Sequence, residues 1–412
     1  MTFLSHFFSK ERTYFNKLNP DAQKLLLSIL LYDLIAPING IFTNAFLWRQ
    51  SQDMMLVSFF NVVTFALVPL GFYLNGILLR KHSAARLATM GLILGGLALT
   101  ALMFLPSISY LEVLLFSIAN GISIGIYWAN RNILTLKATT SDTRIYFSSI
   151  ETTTSTVTKV IVPLAIGWFI TLGMIIHLYT PIQGYQMLVV YLLFIILTIG
   201  LVSKSISIKR QDVSTLFVKQ VSNKWQKFRL LEFVLGVNDA ARTVIPILLV
   251  LTILGKEETL GTVQSFSAIL ATFMVYTGVK QLHVKHRLKL VVIGVLITII
   301  GGVSFGFLYS GLGVLIFYAC QALAWPLLWV AISSVNYDLI DQDNKNPKLH
   351  YAYVCDQEIY LNAGRVVGIG LFMALATFAS HDFALRFAPL LFAAAQVVLF
   401  FTTKSIDKNN KA

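Results

Sequence analysis

The chain has 412 residues, 56% of them hydrophobic and only 12% Asp, Glu, Lys or Arg, about half the roughly 25% charged content of a soluble domain. No water-soluble fold hides that much apolar surface, so soluble globular and disordered classes are excluded and a membrane-embedded protein remains. The net charge of +13 would point to nucleic acid in a soluble protein. Here the basic residues that hold loops in the cytoplasm account for it, and no nucleic-acid partner is expected.

Apolar runs predict twelve spans, at about 24–48, 54–79, 86–106, 109–136, 146–173, 182–203, 230–254, 258–279, 288–308, 311–338, 352–378 and 383–403. Charges and aromatics fill the residues before the first run, which does not read as a secretory signal. The second, fourth, sixth and eighth loops carry the cations: Arg80, Lys81 and Arg86; Lys137 and Arg144; seven Lys or Arg from Lys204 to Arg229; and Lys280, Lys285, Arg287 and Lys289. The odd loops hold only Arg49, Lys256 and Arg386. This asymmetry predicts a multi-pass protein of the cytoplasmic membrane with both termini inside, and Lys404, Lys408 and Lys411 agree for the C-terminus. Two basic stretches interleaved with aromatics, residues 1–18 (Phe3, Leu4, Phe7, Phe8) and 204–229 (Leu216, Phe217, Trp225, Phe228), read either as interfacial amphipathic segments or as a tail and a linker that enforce topology.

The two halves echo each other. Tyr73, Arg86 and Gly91 recur as Tyr276, Lys289 and Gly294, and Asp33 recurs as Asp239. Asn120-Gly121 and Trp128 recur as Gln321-Ala322 and Trp329. Tyr146, Glu151 and Lys159 recur as Tyr353, Glu358 and Arg365. The offsets stay between 201 and 207. The expected organisation is a cytoplasmic N-terminal segment (1–23), a six-helix bundle (24–203), an interbundle linker (204–229), a second six-helix bundle (230–403) and a cytoplasmic tail (404–412).

Six spans repeated in one orientation and joined by the longest cytoplasmic loop resemble the major facilitator superfamily of secondary transporters. The resemblance covers the whole chain through topology and repeat. The family's loop 2–3 signature, G-x3-D-R-x-G-R-R, is reduced to Gly71, Asn75, Gly76, Arg80 and Lys81, and its span-4 R-x2-Q-G reads Ser117-x2-Asn120-Gly121. Pro163 stands in span 5 without the glycine-proline pattern of drug/proton antiporters. The resemblance implies an all-α fold of two pseudo-symmetric six-helix bundles. Spans 3, 6, 9 and 12 would face lipid, and the first helix of each triplet would line a central cavity.

An intramembrane charge is costly and marks function by default. Asp33, Arg131, Glu151, Lys159, Asp239, Arg242, Glu358 and Arg365 fall in spans 1, 4, 5, 7 and 11. Lys159 and Arg365 sit near mid-span, each seven or eight residues after an acid, which returns to roughly the same helix face. Two bases on equivalent helices suit a carboxylate or phosphate of a substrate, with Asn362 on the second stripe. Tyr127, Gln321 and Trp325 are candidates to contact an organic substrate, alongside Lys159, Arg365, Asn362 and Arg242. Asp33, Glu151, Asp239, Glu358 and Arg131 are candidates for proton coupling or gating, with Arg131 placed to pair with Glu151. The competing reading is that the four acids and four bases neutralise one another and tie the helices together, with Asp239 and Arg242 a local i,i+3 pair.

No phosphate-binding loop, His-Glu-x-x-His or cysteine cluster occurs, Cys320 and Cys355 being isolated, so neither cofactor nor metal is expected. The longest loop, about 26 residues, is too short for a catalytic domain, so an enzyme is not expected. The expected function is proton-coupled transport of a small organic anion or zwitterion by a monomer embedded in the bilayer. An exporter or flippase of amphipathic compounds is the alternative, and a polytopic lipid-modifying enzyme a more distant one.

Overall fold

The computed structural model describes residues 15–208, 213, 215–218, 221–275, 287–343 and 349–408. The N-terminal aromatics up to Phe8, Lys209, Arg210, Lys219, Tyr276, Lys280, Lys285 and Lys411 lie outside the described residues.

Among the described residues there is no strand; the chain runs as twelve rods. They are α1 (Pro20–Ser51), α2 (Met54–Leu78), α3 (Ala84–Met103), α4 (Tyr110–Ala138), α5 (Ser141–Ile175) and α6 (Pro181–Lys204). There follow α7 (Asn223–Thr243, continued by Ile245–Leu249 and Val250–Leu254), α8 (Glu257–Met274), α9 (Arg287–Phe307), α10 (Gly311–Asp343), α11 (His350–Phe378) and α12 (His381–Ala395, continued by Val397–Lys408). Starts are marked by local chemistry. Asn19, Asp53, Ser83, Thr180 and Ser380 each accept a backbone N–H of the first turn through the side chain. Pro20 and Pro181 occupy the first helical position, where a missing N–H costs nothing.

Among the described residues ten helices are long and apolar enough to cross a membrane, and the chain is a multi-pass membrane protein. Sequence predicts twelve spans, and α7 and α8 account for the difference. The α-helical run of α7 stops at Thr243, leaving a short apolar piece, Ile245–Leu254. Helix α8 has 18 residues and opens on two acids, Glu257 and Glu258. Helix α7 also begins earlier than its apolar run: Trp225 and Phe228 are fully buried in its first turns. The stretch read as linker is therefore partly helix. Leu216 is buried as well, and of the four apolar residues named there only Phe217 is exposed. A Trp this large goes inside when its N–H finds a partner, and Trp225 Nε1 donates to Asp356 Oδ2 at 2.7 Å.

Close helix crossings rest on glycine. A Cβ on Gly125 would come within 2.3 Å of Val68 O, and one on Gly364 within 2.0 Å of Phe233 O, so α2 meets α4 and α7 meets α11 backbone to backbone. Gly91 packs against Ile126 and Gly294 against Leu328, equivalent α3–α4 and α9–α10 contacts about 202 residues apart. Across the repeat, α5 packs on α8 and α2 on α11. Gly261 lies against Pro163 O, and Gly167 against Glu257 O.

Candidate functional site

Two charge clusters lie in equivalent places. In the first, Asp33 of α1 sits beside Ser155 and Lys159 of α5 and Arg131 of α4. Its Oδ2 is buried and accepts no hydrogen bond among the described residues. Arg131 Nη2 forms an ion pair with Glu151 Oε1, and its guanidinium lies 4.5 Å from the Trp128 ring centroid. Tyr127 is buried and stacks on Tyr32, with centroids 4.1 Å apart. Lys159 remains exposed, and no hydrogen bond or ion pair engages it among the described residues. It shares a helix face with Pro163 and Ile166, both buried, one to two turns before the contact of α5 with α8 at Pro163 and Gly167. Its electrostatic neighbours come from both halves: Asp33, Arg131 and Glu151 from the first, Arg242 from the second.

The second cluster is a closed network. Asp239 of α7 is buried and accepts from two arginines: Arg242 Nη2 at 2.9 Å, and Arg365 Nε at 2.8 Å with Nη2 at 2.6 Å. The i,i+3 pair is thus one arm of a triad. Arg365 Nη1 donates to Asn362 Oδ1 at 3.0 Å, and Asn362 Nδ2 donates to Glu358 Oε2 at 3.0 Å. Arg242 lies over the Trp325 ring at 4.0 Å, and Trp325 stacks on Trp329. Arg365 lies 4.9 Å from the ring centroid of Phe65, which belongs to α2 of the other half. Gln321 is buried. Among the described residues no three His, Cys, Asp or Glu side chains gather to hold a metal ion.

Several polar groups escape the sequence reading. Glu232 of α7 is buried, with Oε1 accepting from Gln357 Nε2 at 3.2 Å and Oε2 unpartnered among the described residues. It lies seven residues before Asp239, the spacing that flags Glu358 and Arg365, so a signal for it was present. At the end away from the basic loops, Glu257 is buried. Arg49 binds it with both Nε and Nη2, the latter at 2.6 Å, and Tyr185 donates to it at 3.3 Å. Thr171 donates to Glu258 at 2.7 Å. These contacts tie α1, α5 and α6 to α8. At the basic end, Tyr351 of α11 donates to Phe72 O at 2.7 Å and accepts from Asn75 at 3.2 Å, tying α11 to α2. The charged lock and the neutral clasp thus close opposite ends across the repeat.

No protein-family model matches the chain. YqgE of Bacillus subtilis (strain 168), an uncharacterized protein, is 25% identical over 403 residues, covering 95% of this chain and 92% of that one. The solved structure of the nucleoside transporter NupG superimposes with a TM-score of 0.69 at 12% identity, covering 95% of this chain and all of the other. A bacterial homologue of the iron transporter ferroportin, in an inward-facing state, gives 0.69 at 14% identity over 93% of this chain and 98% of its own. A bacterial homologue of the lysosomal transporter Spinster gives 0.61 at 14% identity over 95% and 98%. The chain has the major facilitator fold. Two contacts cross the repeat at the clusters: Arg242 of α7 is an electrostatic neighbour of Lys159 of α5, and Arg365 of α11 lies against Phe65 of α2. By these contacts the two clusters face each other across the repeat.

Proposed function

We propose that the protein is a secondary active transporter that moves a small organic anion or zwitterion by alternating access, coupled to protons. The observation that carries the reading is Lys159: a cation on the face turned to the other half, accessible, with no ion pair among the described residues, and with Arg242 as its cationic neighbour across the repeat. Asp33 is the nearest opposite charge but makes no ion pair with it, and a substrate carboxylate or phosphate provides the direct contact.

Arg242 and Arg365 are the second part of the site. Both are held by Asp239, so an anion arriving beside Lys159 competes with that carboxylate for guanidinium donors. An Asp239 relieved of its partners exchanges a proton with whichever side is open, and Asp33, Glu151 and Glu358 sit within the same field. Trp325, Tyr127, Gln321 and Asn362 supply the aromatic and amide surface for the organic part. Arg131 with Glu151 gates the first half. The charged lock at Arg49 and Glu257 releases when the site opens outward, and the clasp at Tyr351 releases when it opens inward. The protein works as a monomer in the cytoplasmic membrane with both termini inside, as the loop cations indicate.

The test is a thermal-stability screen of the detergent-purified protein against organic anions, zwitterions, cations, neutral sugars and lysolipids, followed by transport in liposomes. A ligand at a hundred times its Kd raises stability by about 2.7 kcal/mol. The expected result is a shift from one anionic or zwitterionic class that Lys159→Ala abolishes and Lys159→Arg partly keeps. A shift confined to hydrophobic cations or lysolipids and indifferent to Lys159 overturns the reading in favour of amphipath export.

A further inference from the structure

We propose that the cleft between α3 and α6 at the basic end is a binding site for one anionic glycerophospholipid. The cleft has a volume of about 730 Å³, well above a packing defect and within the roughly 300–1,000 Å³ range of small-molecule sites. Its walls are two antiparallel stripes. On α3, Arg86, Met90 and Ile93 follow one another at i, i+4 and i+7; on α6, Lys204, Leu201 and Leu197 do so in reverse. Each stripe thus starts with a cation at the membrane surface and continues as bare hydrocarbon for two turns. Met90, Leu197 and Leu201 are exposed, and Gly200 leaves the floor without a side chain.

The charge identifies the occupant. No acidic side chain lines the cleft, and neither helix contains one. Arg86 and Lys204 form no ion pair among the described residues. Asp21, nearby at this end, is engaged by Ser207 through N and Oγ at 3.0 and 2.7 Å. Arg86 stands in the first turn of α3, where the N-terminal dipole adds positive potential. A phosphodiester held between the two cations, with acyl chains lying along the apolar stripes, satisfies both parts of the surface at once. Basic pockets between membrane helices select anionic headgroups in this way. A zwitterionic lipid meets the same hydrocarbon but brings its own cation to the same rim.

The site is independent of the transport cycle proposed above and is tested without it. Purified full-length protein in detergent is titrated with phosphatidylglycerol and with phosphatidylcholine of identical chains, and occupancy is read by native mass spectrometry. Phosphatidylglycerol is expected to bind and phosphatidylcholine to be lost on desolvation. Arg86→Gln with Lys204→Gln should weaken phosphatidylglycerol roughly 25-fold, about fivefold for each cation. Leu197→Trp keeps both charges, fills the cleft and should weaken binding as well. Equal retention of both lipids, or full affinity in the double charge variant, overturns the assignment. So does full affinity in Leu197→Trp, and so does inorganic phosphate displacing the lipid at equal concentration, since either would make this a plain anion site.

Discussion

Lys159 and Arg365 hold equivalent places in the repeat, 206 residues apart, as do Asp33 and Asp239, yet the two halves wire them differently. In the second half, Asp239 and Arg365 are ion-paired at 2.6 Å, with Arg242 and Asn362 completing the network. In the first half, Asp33 keeps an unpartnered oxygen and Lys159 forms no ion pair among the described residues. The difference has a sequence cause. The same shift of 206 puts Ala36 where Arg242 stands and Thr156 where Asn362 stands, so α1 lacks the base that α7 sets beside its aspartate and α5 lacks the bridging amide; the other base of the first half, Arg131, pairs with Glu151 instead. The repeated scaffold has thus closed the network around Asp239 and left Asp33 and Lys159 open. Simple mutual neutralisation would have closed both.

The largest effect expected from breaking this contrast is Asp239→Ala. It leaves two guanidiniums without their buried carboxylate and should cost about 3–5 kcal/mol of stability, read as a fall in Tm in detergent. Lys159→Ala should leave Tm nearly unchanged, since no ion pair is lost, while ligand affinity falls by about 1.5–3 kcal/mol, the worth of a hydrogen bond to a charged group. If both substitutions destabilise equally, the open and closed halves are not distinct. Asn362→Leu should cost about 1–2 kcal/mol, because it strips a donor from Glu358 and an acceptor from Arg365 in a buried place. Glu151→Gln should leave exchange of substrate intact and weaken its dependence on a proton gradient, measured as counterflow against gradient-driven uptake in liposomes. Tyr351→Phe, outside both clusters, sets the baseline at about 1 kcal/mol. It removes the hydrogen bond donated to Phe72 O and the longer one accepted from Asn75, and keeps the ring.

Sequence made most of the fold legible because length and hydropathy decide spans almost alone. It failed where a helix starts before its apolar run, as at Trp225, and where a span is interrupted, as at Thr243. The intramembrane charges were legible from their cost. Their wiring was not, because a one-dimensional spacing places Asp239 beside Arg242 but cannot show Arg365 arriving from another helix. Glu257 was missed for a related reason. It reads as a loop acid beside Lys256 and Glu258, and only the fold brings Arg49 to it from 208 residues away.

That last contact depends on how helix α1 is wound. Residues Ile38–Phe42 form a π-helical turn after Pro37, and Val250–Leu254 form another in α7, about six residues further along its helix than the repeat offset would place it. A π turn accommodates one residue more than an α turn, and one residue of an α-helix is a rotation of about 100°. The face that Arg49 presents is therefore set by an extra residue near Gly40, not by the phase of the helix that carries Asp33. Deleting one residue there would restore α-helical winding and keep Arg49 turned to Glu257, because the wide turn had absorbed that residue; α winding with no residue removed would swing Arg49 about a quarter-turn away and leave the inner half of α1 in register. The handle of the outer lock is thus aimed by the winding of one turn, so a change between π and α winding there re-aims Arg49 without moving Asp33.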